Sequence, residues 1–73
     1  MKFYRVVFCD PTTRDVLFTI SGQMGRDKMS AIRSARKKID VPPQVMLLGF
    51  ATELRYRVGD SVPPEMFHAR EAV

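Results

Sequence analysis

The chain has no tryptophan, a single cysteine, a single histidine and four glycines in 73 residues, and each shortage closes off a class of protein. Cys9 alone cannot form an internal disulfide, and Cys9 with His68 falls short of the about four N or S ligands that a conventional zinc site takes. Cys9 ends a strand-like run and reads as a packed or half-exposed structural thiol; the base that a nucleophilic thiolate would need, His68, lies in the tail. The eight acids are scattered through turns, caps and solvent-facing positions, with no tight pair for acid/base work. The sequence therefore predicts no enzyme and no cofactor or metal. No apolar run approaches the roughly 20 residues of a membrane-spanning helix, so no membrane contact is expected. The start, Met1-Lys2-Phe3-Tyr4-Arg5, leads into a run broken by Asp10-Pro11 and not into a secretory leader, so a cytoplasmic location is expected.

What is present suits one small domain. Apolar residues make up 45% and charged residues 27%, close to folded soluble proteins and far from disordered chains. The length allows one core, not two. The formal charge of +4 is unevenly spread. Arg26, Lys28, Arg33, Arg36, Lys37 and Lys38 meet only Asp27 between positions 26 and 38, a local net of +5, whereas the remaining six bases and seven acids give −1. A basic segment on a balanced body favours an acidic partner, either a phosphate backbone or an acidic protein surface.

Along the chain, Lys2–Cys9 (KFYRVVFC) and Val16–Ile20 (VLFTI) read as strands, rich in aromatic and β-branched residues. Asp10-Pro11-Thr12-Thr13-Arg14 between them is a turn signal, so the two form an antiparallel hairpin. Ser21-Gly22-Gln23-Met24-Gly25 is expected to break the strand. Its G-x-x-G spacing follows a strand instead of joining two helices, so it reads as a plain strand-to-helix connection. Asp27 is the expected N-cap of a helix from about Lys28 to Ile39. At about 100° per residue, Ala31, Ile32, Ala35 and Ile39 share one side, and Arg26, Ser30, Arg33 and Lys37 form a row on the other, flanked by Arg36. Asp40-Val41-Pro42-Pro43 stops the helix. Gln44–Val58 reads as strand, either one strand bent at Gly49 or a second hairpin turning at Phe50–Thr52. Gly59–Pro64 is a second break. A Pro-containing tail or short helix follows, in which Met66 and Phe67 either pack or grip a partner. The expected fold is α+β: a single small domain in β-β-α-β order, an antiparallel sheet with one packed amphipathic helix, and a fourth strand or short C-terminal helix. Its core covers residues 1–59 and the tail 60–73.

Function must then come from surfaces. The basic helix face, Arg26, Arg33, Arg36 and Lys37, is the main candidate binding site. Arg14, Arg55, Tyr56, Arg57 and Phe67 are candidates for secondary contact. Readers of single-stranded nucleic acid interleave aromatics with such bases, but here the aromatics sit on strands or in the tail. The hairpin from Lys2 to Ile20 has few guarding charges, so its edge is a second candidate surface for a partner strand or a second copy.

A hairpin, one basic helix and further strand between Lys2 and Val58, without a catalytic set, is similar in size and layout to small regulatory proteins that bacteriophages make to bind host machinery. Among them are those that attach to bacterial RNA polymerase and redirect transcription. That resemblance implies a large protein partner in the host cytoplasm and assigns no individual residue. Direct, weakly sequence-specific RNA or DNA binding through the basic face is the alternative, and a homo-oligomeric structural protein, in the simplest case a homodimer, is the third expectation.

Overall fold

In the computed structural model of the protein, which describes residues 1–65 and 71–72, the aromatic and β-branched run Lys2–Cys9 forms strand β1. Strand β2 spans Val16–Gly25, helix α1 Lys28–Arg36, strand β3 Leu48–Ala51 and the two-residue strand β4 Glu71–Ala72. The strands make one antiparallel sheet in the order β2-β1-β3-β4. The fold is α+β with a β-β-α-β core, as the sequence predicts. Among the described residues, no helix is long and apolar enough to cross a membrane.

Val6, Val7, Phe8 and Cys9 are all fully buried. Side chains alternate across a strand, so four buried residues in a row require cover on both faces of the sheet. On one face, Val6 and Phe8 pack with Ala31, Ile32 and Ala35 of α1 and with Leu47. On the other, Val7 and Cys9 pack with Val16, Phe50 and Val62, flanked by Leu48 and Tyr56. The Cys9 thiol points at the Leu48 carbonyl, 3.6 Å away, which fits a structural thiol.

Four boundaries differ from the sequence-based expectation. Strand β2 does not break at Ser21 but runs on to Gly25. Between the pairs Val6↔Ile20 and Tyr4↔Gln23, β2 carries one residue more than β1. Gly22 sits at φ 69° in this stretch, so a bulge absorbs the residue and the ladder resumes. The bulge resets the alternation and leaves Gln23 buried across from Tyr4. Helix α1 ends at Arg36 with Lys37 as its C-cap, before Ile39.

Of Gln44–Val58, only Leu48–Ala51 is strand. A turn closed by the Val45 amide on the Pro42 carbonyl precedes it. After Ala51 the Thr52 amide donates to the Arg5 carbonyl, the Arg5 guanidinium donates to the Glu53 carbonyl and the Leu54 amide donates to the Thr52 hydroxyl. The Thr52 amide makes the last backbone bond to β1; the chain then crosses the far face of the sheet, where Tyr56 packs and the Gly59 amide reaches the Val16 carbonyl, so neither the bent strand nor the second hairpin forms.

Nor does the packing stop at Gly59. The Gly59 amide donates to the Val16 carbonyl, the Val16 amide to the Asp60 carbonyl and the Val62 amide to the Arg14 carbonyl, and Val62 is fully buried. The body of the domain therefore reaches at least Val62. Of the helix expected after Pro64, residues 66–70 lie outside the described residues, and Glu71–Ala72 pair with β3 as strand.

The helix lies close to the sheet at two glycines. A Cβ on Gly49 would come within 2.9 Å of both Ile32 Cγ2 and Phe8 Cε1, and one on Gly25 within 2.8 Å of the Ala31 backbone nitrogen. We expect Gly49→Ala to destabilise the domain by about 1–3 kcal/mol through overpacking. Thermal unfolding followed by circular dichroism should show a midpoint several degrees lower, with exposed Ser34→Ala unchanged as the control.

Candidate functional site

The site is built on α1. Asp27 is its N-cap, extended at φ −148°, ψ 178°, and its carboxylate accepts the Ser30 amide hydrogen at 2.8 Å. That hydrogen bond, helped by the Ser30 hydroxyl and the nearby Arg26 and Arg33 charges, holds the Asp27 carboxyl below the usual aspartate range. Small residues on the inner face let the helix sit close to the sheet, so its long basic side chains are carried outward. Arg33 and Lys37, four residues apart, are both exposed and stand about 5–6 Å apart at their Cβ atoms, as helix neighbours do.

Arg36 behaves differently from its neighbours. It is half-buried, with Nη1 donating to the Val41 carbonyl at 3.2 Å and Nη2 to the Pro42 and Val45 carbonyls at 2.9 and 3.0 Å. The guanidinium thus ties the loop after the helix back against the helix end. Its acceptors are neutral carbonyls, so the hydrogen bonds fix the group without cancelling its charge. Among the described residues, no carboxylate forms an ion pair within 4.0 Å of Arg33, Arg36, Lys37 or Lys38.

The consequence is a groove of about 510 Å³ lined by Arg33, Arg36 and Lys37 and by Ile39, Val41 and Pro43. Three cations border an aliphatic floor. A volume of this size is in the range of small-ligand or side-chain pockets, about 300–1,000 Å³. A second hollow, of about 360 Å³ where β1 runs past β3, is lined by Lys2, Arg5 and Lys28 but also by Glu53. Its charge is mixed.

Of the residues singled out from the sequence, Arg33, Arg36 and Lys37 come together, although Arg36 is anchored and not a free contact. Arg26 is exposed but precedes the N-cap, about 10 Å along the axis from Arg33 at ~1.5 Å per residue, and does not line the groove. Arg14, Arg55 and Arg57 do not line it either. Arg14 is half-buried in the β1–β2 turn at φ 66°; Arg55 and Arg57 are exposed on the segment crossing the far face. Tyr56, expected as a contact residue, instead packs edge-on against Phe50, with ring centroids 5.9 Å apart at 85°. Phe67 lies outside the described residues. The floor residues Ile39, Val41 and Pro43 were not singled out. The signal for them was an arginine in the last helical turn followed by Pro42-Pro43, since a loop short of its own amide donors is readily tied down by a guanidinium on its carbonyls.

No family model matches the chain, and no curated protein or solved structure matches it significantly.

Two consequences can be measured. Arg36→Lys keeps the charge but not the planar fork, and we expect it to cost about 1 kcal/mol through lost charge-assisted hydrogen bonds; Arg33→Lys should stay within about 0.5 kcal/mol, as read from urea midpoints. The Asp10 carboxyl, like that of Asp27, is held below its usual range, here by the Thr13 and Thr12 amides. Depressed in the folded state, both groups contribute stability that is complete above the ordinary aspartate pKa of about 3.9 and is lost as pH falls through their folded values. Asp27→Asn keeps a good cap without the titration, so its unfolding midpoint should fall less between pH 5 and pH 2 than that of the parent.

Proposed function

We propose that the domain is a non-enzymatic regulatory binding protein that docks on an acidic face of a large protein partner through the cationic end of α1. The observation that carries this reading is the convergence of Arg33, Arg36 and Lys37 on one groove with an aliphatic floor. Exposed charges such as Arg33 and Lys37 speed and orient encounter, and the apolar floor supplies an area that only a partner side chain would cover. The resemblance of the sequence in size and layout to small phage regulators makes bacterial RNA polymerase the partner of first choice and the bacterial cytoplasm the place of action. Direct nucleic-acid binding is less well supported, because among the described residues no aromatic ring lines the groove for a base to stack on.

The test is binding of the purified chain to purified bacterial RNA polymerase, run beside a single-stranded DNA and a duplex of mixed sequence. We expect the polymerase to be retained and the double variant Arg33→Glu with Lys37→Glu to lose about tenfold or more in affinity, about 1.4 kcal/mol or more. Failure of the parent chain to bind polymerase removes that partner. Tighter binding to DNA than to polymerase, falling steeply with salt, gives the function to nucleic acid instead.

A further inference from the structure

The groove is specific enough in chemistry to define what it holds. Resting on the protein-docking reading above, we infer that it takes a short acidic-hydrophobic peptide segment of the partner, in which one bulky apolar side chain is flanked by carboxylates.

The groove separates its chemistry by element. Ile39, Val41 and Pro43 supply the floor from the loop after the helix, while Arg33, Arg36 and Lys37 supply the cationic wall from the helix. An apolar side chain on that floor would replace water against aliphatic carbon, and carboxylates on either side would meet guanidinium and ammonium groups that form no ion pair with a described acid. Neither half alone accounts for the site. A purely acidic strand would leave the floor wet, and a purely apolar segment would leave the wall without counter-charge.

Arg36 gives the wall its rigidity. Three carbonyls hold its guanidinium, which uses three of its five N–H donors. The two donors left, one on Nε and one on Nη1, and the charge are held in a fixed position, so little side-chain entropy is lost when a carboxylate approaches. Arg33 and Lys37, both exposed, adjust around it. Nucleic acid fits less well: its phosphates would suit the wall, but the floor offers branched aliphatic groups and a proline where stacking calls for an aromatic face.

Fluorescence anisotropy with three labelled hexapeptides and one oligonucleotide tests this on the full chain. The probe is Glu-Asp-Leu-Phe-Glu-Asp. One control amidates every carboxylate (Gln-Asn-Leu-Phe-Gln-Asn), a second removes the apolar pair (Glu-Asp-Ser-Ser-Glu-Asp), and a ten-residue oligo-dT supplies phosphate without carboxylate. We expect the probe to bind at least about tenfold tighter than each of the other three. It should shift the amide resonances of residues 33–43 in nitrogen-15 correlation spectra, and it should lose about tenfold on Arg33→Glu and on Pro43→Asp, two changes at exposed positions. Equal binding of the serine control or of oligo-dT, or resonance shifts confined to the end of β1 near Phe3 and Glu53, overturns the inference. Because the probe is independent of polymerase, the two readings fail separately. Polymerase binding without peptide discrimination sinks only the groove's specificity, and peptide binding without polymerase sinks only the partner.

Discussion

The close contact between α1 and the sheet decides most of what this domain can present. Gly49 leaves no room for a Cβ between Ile32 and Phe8, and Gly25 leaves none beneath Ala31. With Ala31 and Ala35 as the other inward residues, the helix lies near the strands and contributes little bulk of its own to the core. Its long side chains cannot be used inside. Every lysine and arginine on α1 is therefore carried to the outer face or to the helix end, and the positive potential of the molecule follows from a packing constraint on small residues.

The second constraint is the pair of prolines. Pro42 and Pro43 cannot donate backbone hydrogen bonds, so the loop that leads from α1 to β3 has few amides of its own to tie it down. Arg36 donates to three of its carbonyls and so sets the distance between the loop and the helix. Cations near a helix C-terminus also interact favourably with its dipole, which eases the crowding of Arg33, Arg36 and Lys37. One side chain thus closes the fold at its least regular point and forms the wall of the groove. Structure and candidate function share that residue, which makes it a poor choice for separating the two by truncation alone.

Much of the fold was legible because local signals agreed with each other. The β1 composition, the Asp10-Pro11 turn, the Asp27 cap and the spacing of Ala31, Ile32 and Ala35 all point to elements that form. The misreadings share a cause: each involves a residue whose role is set by a distant contact. Gly22 looks like a strand breaker until a bulge lets β2 resume beside β1. The alternation of Glu53–Val58 looks like a strand, but pairing with β1 ends at the Thr52 amide on the Arg5 carbonyl, and the chain then turns toward Val16. Val62 looks like tail, yet it fills the second face of the sheet. The basic ridge was legible as a row but not as a groove. Periodicity gives the direction of a side chain from the helix axis and says nothing of the loop that returns to meet it.

Charge and shape do different work at such a site. The exposed ends of Arg33 and Lys37 act over about one Debye length, roughly 10 Å at 0.1 M salt, so they raise the rate of encounter for any anionic surface and weaken as salt rises. The contact of an apolar side chain with Ile39, Val41 and Pro43 acts only at close range and is insensitive to salt, so it governs how long a partner stays. A chain with the ridge and no floor would be a general polyanion binder, whereas a chain with the floor and no ridge would be a weak apolar patch. Selectivity arises because Arg36 holds the two together on the same groove. That is why the half-buried residue of the three carries the most weight in defining the site.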